Sequence, residues 1–136
     1  MASVQVRYIV RDVDAAIAFY RDQLGFHEVM HPAPAFAMLT RGELRLVLSA
    51  PNPSGGGGQP MPDGREQTPG GWNRFAIEAD DLEAQVESLR KLGATFRNAI
   101  VTGVGGKQII VEDPSGNPVE LFQPTRPEAR LSEKAS

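Results

Sequence analysis

The chain has 136 residues, 40% of them hydrophobic, and a formal net charge of −3. This length fits one domain, or two small halves that share a core, and no window is apolar for long enough to cross a membrane. The negative net charge does not favour binding to nucleic acid. The absence of cysteine excludes disulfides and thiolate metal sites. A strand pattern begins at Val4, so we expect no signal peptide. A cytoplasmic protein with a small-molecule ligand is the resulting expectation.

The first part of the chain predicts a strand, a helix and three further strands. Apolar and polar residues alternate over 4–10, which indicates a strand. Asp12 then offers a helix N-cap, and Gly25 offers a stop. One apolar helical stripe lies between them, formed by Val13, Ile17, Tyr20 and Leu24. Three short strands are predicted at residues 27–31, 36–40 and 43–50. Pro32 and Pro34 are expected to break the connection after the first of these strands.

Residues 51–71 form a loop rich in glycine and proline. The segment Pro53–Gly58 contains four consecutive glycines and is not expected to pack. A loop of this length is either a linker or a functional lid, and its position near mid-chain favours a linker between two halves. Met61 within the loop and Trp72 at its end are candidates for ligand contact, and for Trp72 core packing is the favoured alternative.

The same pattern then starts again. Asp81 aligns with Asp12 at an offset of 69 residues, in each case between a strand and a helical stripe. The predicted elements are a strand at residues 74–79, a helix with the stripe Leu82, Val86 and Leu89, and strands at residues 95–98, 107–112 and 118–122. Residues 1–50 and 72–124 are therefore interpreted as two βαβββ modules of one domain. The polar tail, residues 125–136, is expected to be frayed.

The last two strands are joined by the turn Asp113–Asn117. Pro114 presets φ for a tight turn, and Gly116 accepts a positive φ. In the strand that follows, alternation places Glu120 on the face opposite Val119. A carboxylate in that position is a ligand, a reactive group or half of an ion pair.

Two motifs resemble the vicinal oxygen chelate superfamily, the group of glyoxalases, bleomycin-resistance proteins and extradiol dioxygenases. One motif is Val10–Asp12 together with Ala18–Phe26, and the other is Glu112–Leu121. The resemblance covers roughly residues 4–124. It implies an α+β fold in which tandem βαβββ modules form a cupped, mixed sheet of eight strands, and usually a homodimer.

In metal-using members of that family, the ligands come from the first and fourth strands of each module. The corresponding residues in this chain are Gln5, Val47, Arg74 and Glu120. Only Glu120 matches the family pattern, because valine cannot bind a metal, glutamine is a weak ligand and arginine is a permanent cation. The resemblance therefore implies that the metal site is lost, and we expect no cofactor.

The first and fourth strands of a family module are neighbours, so Arg74 and Glu120 are expected to face each other. This pair is a structural ion pair, a set of polar contacts for an oxygen-rich ligand, or both. Gln5 and Arg7 would assist in binding such a ligand. A third hypothesis, that Glu120 acts as a general base, is weaker because an arginine partner lowers a carboxylate's basicity.

The favoured function is a metal-independent protein that binds and sequesters a hydrophobic or aromatic compound such as an antibiotic. Phe36, Met38 and Phe122 are candidates for the apolar wall of its cleft. The alternative is a metal-dependent lyase, isomerase or dioxygenase of the same superfamily. That alternative requires ligands recruited from elsewhere, such as His31 or Glu43.

Overall fold

The computed structural model describes residues 4–131 of the chain. It contains two compact units. The first unit runs to Gly71 and also includes Asp113–Asn117, and the second comprises Trp72–Glu112 and the residues from Pro118 onward. The first three residues of the predicted first module and the last five of the predicted tail lie outside the described residues.

The first unit contains one mixed sheet and one helix. Its elements are β1 (Val4–Ile9), α1 (Val13–Ala18), a π-helical turn (Phe19–Gln23), β2 (His27–Ala33), β3 (Phe36–Arg41) and β4 (Leu44–Ser49). The strand order is β1-β4-β3-β2, with β1 parallel to β4 and the other neighbours antiparallel. This is one predicted βαβββ module.

Together, α1 and the π-helical turn begin and end where the sequence predicts one helix. Asp12 is the N-cap, and its Oδ1 accepts a hydrogen bond of 3.1 Å from the Ala15 backbone N–H. Gly25 ends the segment with φ of +78°, a conformation that glycine adopts without steric cost. The predicted stripe is buried, but its second half is a π-helical turn that contains the fully buried Tyr20. Single π-helical turns are often found near functional or specialised side chains.

The expectation that Pro32 breaks the chain between strands is wrong. Strand β2 runs through Pro32 to Ala33, and its register with β3 shifts between Met30 and Ala33. Because β2 is the edge strand of the sheet, its outer backbone groups have no strand partner. A proline without an N–H therefore interrupts no ladder there.

The expectation that Pro53–Gly58 does not pack is also wrong. The Ser49 hydroxyl donates a 2.6 Å hydrogen bond to the Gly56 carbonyl, and the Asn52 side-chain amide donates to the carbonyls of Ala50 and Gly55. Gly58 is buried. Its missing side chain allows this packing, because a Cβ at that position would collide with the Ala50 carbonyl. The glycines thus let the loop fold closely onto the end of β4.

The second unit repeats the arrangement. Its elements are β5 (Ala76–Glu78), α2 (Leu82–Lys91), β6 (Thr95–Phe96), β7 (Val101–Thr102), β8 (Gly106–Glu112) and β9 (Pro118–Pro124). The strand order is β5-β9-β8-β6, β7 also pairs with β8, and β5 is parallel to β9. Asp81 caps α2 as Asp12 caps α1. The short β7 is an addition to the eight strands expected.

The last described residues are more ordered than the sequence predicts. Pro127–Ala129 form a 3-10 helix, and the Leu131 N–H donates a 2.8 Å hydrogen bond to Glu78 Oε1. Proline at the first position suits such a turn, because its fixed φ is already helical and it has no N–H to leave unpaired. No helix among residues 4–131 has the length and apolar character needed to span a bilayer.

The turn Asp113–Asn117 makes several hydrogen bonds, both within itself and to the rest of the first unit. Asp113 Oδ1 accepts from the backbone N–H groups of Ser115 and Asn117, and its Oδ2 accepts from the Asn117 amide and from the Tyr20 hydroxyl at 2.8 Å. The Asn117 amide also donates to the Ile9 carbonyl at 2.7 Å. This turn is therefore an integral part of the first unit.

The element order and strand pairing of the two units confirm the mixed α+β class with its two βαβββ modules.

Candidate functional site

Each sheet has one face covered by its helix and one face turned away from it. In the first unit, Tyr8 lies on the helix side, because its ring contacts that of Tyr20 at 6.5 Å between centroids. Strand alternation then places five of the predicted ligand residues on the opposite face. We call this the helix-free face of the first sheet. The five residues are Gln5, Arg7, Phe36, Met38 and Val47.

The register supports the equivalence drawn between the two modules. Arg7 pairs with Val47 across the parallel strands β1 and β4, as Ala76 pairs with Glu120 across β5 and β9. Gln5 and Arg74 each lie two residues earlier, so they occupy equivalent positions. Val47 itself is only 1% exposed and contributes an apolar floor to the face rather than a polar group.

In the second unit, Glu120 and Phe122 lie on the helix-free face. The other face belongs to α2, because Gln123 accepts a 2.7 Å hydrogen bond from the Leu82 N–H and Lys107 pairs with Glu83 of that helix. Arg74 precedes β5, where the sequence predicts it inside the strand. Its side chain nevertheless reaches Glu120.

The Arg74–Glu120 pair is confirmed and has a one-sided geometry. Arg74 Nε and Nη2 each lie 3.0 Å from Glu120 Oε1, and Nη1 donates at 3.1 Å to the Trp72 carbonyl. Among the described residues, Glu120 Oε2 has no hydrogen-bond partner. The side chains are 28% and 19% exposed, so water screens the pair only in part.

A second ion pair lies beside the first. Arg97 Nε is 2.8 Å from Glu112 Oε2, and the Arg97 guanidinium lies 4.5 Å from the centroid of the Trp72 ring. Trp72 is 68% exposed, so the expectation that it packs in the core is wrong, and the cation covers part of an otherwise open indole. The two arginines of this region thus each have a glutamate partner, and the charges balance.

The remaining candidates lie elsewhere. Met61 is exposed in the loop, where its backbone N–H donates to the Arg65 carbonyl. His31 Nε2 lies 3.7 Å from Asp14 Oδ1, next to the helix. Glu43 is exposed beside the turn between β3 and β4.

The matched family model covers residues 3–121 and describes the glyoxalase/bleomycin resistance protein/dioxygenase superfamily. The chain belongs to this superfamily. No curated protein matches it.

Solved structures of superfamily members share the fold. The chain is similar to a lactoylglutathione lyase from Agrobacterium tumefaciens at 25% identity and a TM-score of 0.69, with 90% of this chain and 92% of that chain covered. A superfamily member from Sphaerobacter thermophilus has 25% identity, a TM-score of 0.70 and coverage of 90% and 98%. TnmS3, an antibiotic binding protein from Streptomyces sp. CB03234, has 23% identity, a TM-score of 0.68 and coverage of 92% and 98%, a likeness that bears on the fold alone.

The residues at the family's ligand positions do not fit a divalent metal ion. Valine has no atom that can bind a metal. The Arg74 guanidinium already contacts Glu120 Oε1, so a metal ion would have to compete with it for that oxygen. Among residues 4–131, no three histidine, cysteine or carboxylate side chains are grouped closely enough to hold a metal. Glu120 therefore contacts a guanidinium, which cannot serve as a metal ligand.

Sequence reasoning missed Arg45, Arg97 and Glu112. Arg45 pairs with Gln5 and with Thr40, so it shares the helix-free face of the first sheet. A signal was present, because Arg45 and Val47 are two residues apart in a strand. For Arg97 and Glu112 no local signal exists, since their contact depends on how β6 and β8 pair.

Proposed function

We propose that the protein is a metal-independent small-molecule binding protein of the glyoxalase/bleomycin-resistance type that sequesters a hydrophobic or aromatic compound. The observation that supports this most is the Arg74–Glu120 pair. It replaces a metal-ligand pair with two groups that form hydrogen bonds, and it leaves Glu120 Oε2 available to accept one from a ligand.

The other predicted ligand residues supply surfaces of the kind that small-molecule sites use. Phe36 and Met38 are half-buried on the first sheet, and Phe122 is half-buried on the second. Trp72 adds an exposed indole next to Arg74. Apolar surface with a few polar groups is the usual composition of ligand sites. One structural neighbour is described as an antibiotic binding protein, so antibiotics are a suitable first set of probes.

The first test combines metal analysis with thermal unfolding. Purified, untagged protein is incubated with Zn²⁺, Ni²⁺, Fe²⁺ or Mn²⁺, desalted and analysed for metal, and we expect far less than one equivalent. Melting is then followed with a panel of antibiotics and polycyclic aromatics. A ligand at 100 times its Kd stabilises the native state by roughly 2.7 kcal/mol, which raises the Tm by several degrees.

Two results would contradict the proposal. One is near-stoichiometric metal with a lyase, isomerase or dioxygenase activity that chelator removes and one metal restores. The other is a panel without any melting shift. Glu120→Gln is the informative variant, because it keeps the shape of the side chain and removes its charge, so it should weaken any ligand that donates to Oε2.

Homodimerisation and a cytoplasmic location are part of the proposal. The family resemblance supports the dimer. Light scattering coupled to gel filtration is expected to give twice the 14.7 kDa mass of one chain, and a single-chain mass at micromolar concentration would contradict it.

A further inference from the structure

Two arginines, Arg7 and Arg45, are neighbours on the helix-free face of the first sheet. Arg7 lies opposite Val47, and Arg45 lies opposite Gln5 on the adjacent parallel strand. Adjacent strands are about 4.8 Å apart and two residues along a strand span about 6.6 Å, so the two Cα atoms are separated by about 8 Å. Side chains as long as arginine can therefore converge on one small group.

Within residues 4–131, neither guanidinium has a carboxylate partner, and Arg7 is exposed. The ion pairs found among residues 4–131 involve the arginines Arg21, Arg65, Arg74 and Arg97, and neither Arg7 nor Arg45 takes part in any of them. Glu43, in the turn just before β4, is exposed and makes no ion pair with another residue of the described part of the chain. Two like charges on one face without a counter-charge repel each other. The face is therefore electrostatically incomplete by itself.

Arg45 also has one nitrogen atom without a hydrogen-bond partner in the described part of the chain. Its Nε is buried, yet it has no hydrogen-bond partner within the described part of the chain. Arginine has only donors, so this N–H requires an acceptor. Buried donors are almost always satisfied in native proteins, and an exception calls for a group that satisfies it.

Arg7 is held in position by the loop. The guanidinium packs directly on Gly57, because a Cβ built there would lie 2.5 Å from Arg7 Cζ. The loop is fixed in turn by the hydrogen bond from Ser49 to Gly56, and by the Gln67 amide, which donates to the Gly57 carbonyl at 2.9 Å. This contact restrains the flat side of the Arg7 guanidinium, which lowers the entropic cost of binding an anion.

We infer that Arg7 and Arg45 form a binding site for an oxyanion, a carboxylate or a phosphate, carried by an otherwise apolar small molecule. Planar guanidinium groups suit both anions, because their parallel N–H donors match two oxygen atoms. Gln5 and Thr40, which pair with Arg45, add neutral hydrogen-bonding groups, and Met38 on β3 adds apolar surface opposite Val47. The inference rests on the proposed binding function and specifies the class of its ligand.

The test compares three probes that share a ring system and differ in one group: naphthoate, naphthyl phosphate and neutral naphthylmethanol. Affinities are measured by calorimetry in a buffer free of phosphate and carboxylate. We expect one or both anions to bind at least about tenfold more tightly than the alcohol, as charge-assisted hydrogen bonds predict. The preference should decrease with added salt. Comparing the two anions tells carboxylate from phosphate.

Variants locate the effect. Arg7→Met and Arg45→Met keep the length of the side chain without its charge, and each should lose most of the anion preference. Arg126→Met is the matched control, because it removes one charge from an exposed arginine of the second unit. In the unsubstituted protein, NMR resonances of the Arg7 and Arg45 Nε–H groups should shift on adding the anion. That measurement does not depend on whether a variant folds.

The outcomes separate this inference from the proposed function. Equal affinity for all three probes overturns the anion site and leaves a binder of aromatic compounds. An unchanged preference in both Arg7→Met and Arg45→Met, or NMR shifts confined to other arginines, also overturns it. If inorganic phosphate shifts the Arg7 and Arg45 resonances while no naphthyl probe binds, the anion site stands and the aromatic ligand is contradicted. If no probe binds and no arginine resonance shifts, both the anion site and the proposed binding function are contradicted.

Discussion

At the scale of single residues, the ion pair between Arg74 and Glu120 is of intermediate strength. Both side chains are about a quarter exposed or less, and two guanidinium nitrogens contact one carboxylate oxygen. Exposed ion pairs contribute about 0–1 kcal/mol, whereas breaking a buried pair costs about 3–5 kcal/mol. This pair lies between those limits, so its contribution is measurable.

A double-mutant cycle with Arg74→Met and Glu120→Gln tests this contribution. We expect a coupling free energy of about 1–2 kcal/mol from urea unfolding, because water screens the pair only in part. The matched control is the loop pair of Arg65 and Asp63, whose side chains are 79% and 59% exposed. Its coupling should be below about 0.5 kcal/mol. Equal coupling in the two pairs would show that burial does not strengthen the first.

Tyr20 makes stability sensitive to alkaline pH. Burial, and next the charge of Asp113, raises the pKa of the Tyr20 hydroxyl well above its ordinary value near 10. The neutral hydroxyl is therefore favoured in the native state. The resulting stability is fully present below pH 10 and is lost as the pH rises above that value toward the raised pKa. The unfolded chain, whose tyrosines titrate normally, gains population there.

The variant Tyr20→Phe isolates this effect. It removes one donor from the buried Asp113 carboxylate, so we expect a loss of about 1.5–3 kcal/mol at neutral pH. Tyr8 is then the only tyrosine left, so the decline in stability above pH 10 should be shallower than in the unsubstituted protein. Urea unfolding between pH 7 and about pH 11 measures both quantities. A parallel decline in the two proteins would assign the alkaline sensitivity to other groups.

At the scale of elements, the loop of residues 51–71 connects folding to the proposed anion site. Gly57 has φ of +88° and lies against Arg7, whereas Gly64 has a similar φ of +91° with nothing within 4 Å of a built Cβ. Replacing either glycine should therefore strain the backbone to a similar degree. Only a side chain at position 57 would also contact Arg7.

We expect Gly57→Ala and Gly64→Ala to cost similar stability, roughly 1 kcal/mol each, from the unfavourable positive φ. The flexible Arg7 side chain can move away from a new methyl group, so the contact adds little to that cost. Only Gly57→Ala should also lower the preference for naphthoate over naphthylmethanol, because Arg7 is displaced. Equal probe affinities in the two variants would show that the loop does not position Arg7.

Sequence periodicity was sufficient for most elements and for the faces of the strands. Both N-caps, the repeat offset and the position of Glu120 opposite Val119 depend on local residue patterns, and all are confirmed. The π-helical turn, the passage of β2 through Pro32 and the short β7 depend on packing and strand pairing. No local pattern encodes them.

The contacts of the candidate site can likewise be separated into those that sequence patterns predict and those that depend on strand pairing. The Arg74–Glu120 pair was predictable from the family register of β5 and β9, although Arg74 lies just before β5 and not within it. The contact of Arg97 with Trp72 joins residues 25 positions apart that share no periodic pattern. Arg45 lies on the same face as Val47, but it is not at one of the family's metal-ligand positions. Its Nε is buried and has no hydrogen-bond partner among residues 4–131, and a local sequence pattern does not encode either property.

At the scale of the whole molecule, the first unit is made of two separate stretches of chain. The turn Asp113–Asn117 supplies the acceptor for Tyr20, a donor for the Ile9 carbonyl, and the Ser115 hydroxyl oxygen, which accepts from the Arg11 N–H. A chain that ends at Gly71 contains all four strands of the first sheet and lacks this turn. The sheet and helix alone therefore do not complete the unit.

A fragment of residues 1–71 is expected to unfold without a cooperative transition, because Tyr20 and the first sheet lose these buried hydrogen bonds. Circular dichroism during urea titration measures this. The full chain with Asn117→Ala, which keeps the turn and loses its amide contacts, should still unfold cooperatively at a lower urea midpoint. A sigmoidal transition for the fragment, with a slope appropriate to its size, would contradict the prediction.

The split of the first unit also sets a delay during translation. The ribosome must add 46 residues after Gly71 before Asn117 exists, which takes roughly 2–9 seconds at about 5–20 residues per second. Throughout that interval the nascent chain presents Tyr20 and the strands of the first sheet without the turn that completes them. Chaperones that act on nascent chains have those seconds to bind, and a stalled ribosome would leave an incomplete first unit exposed to proteases.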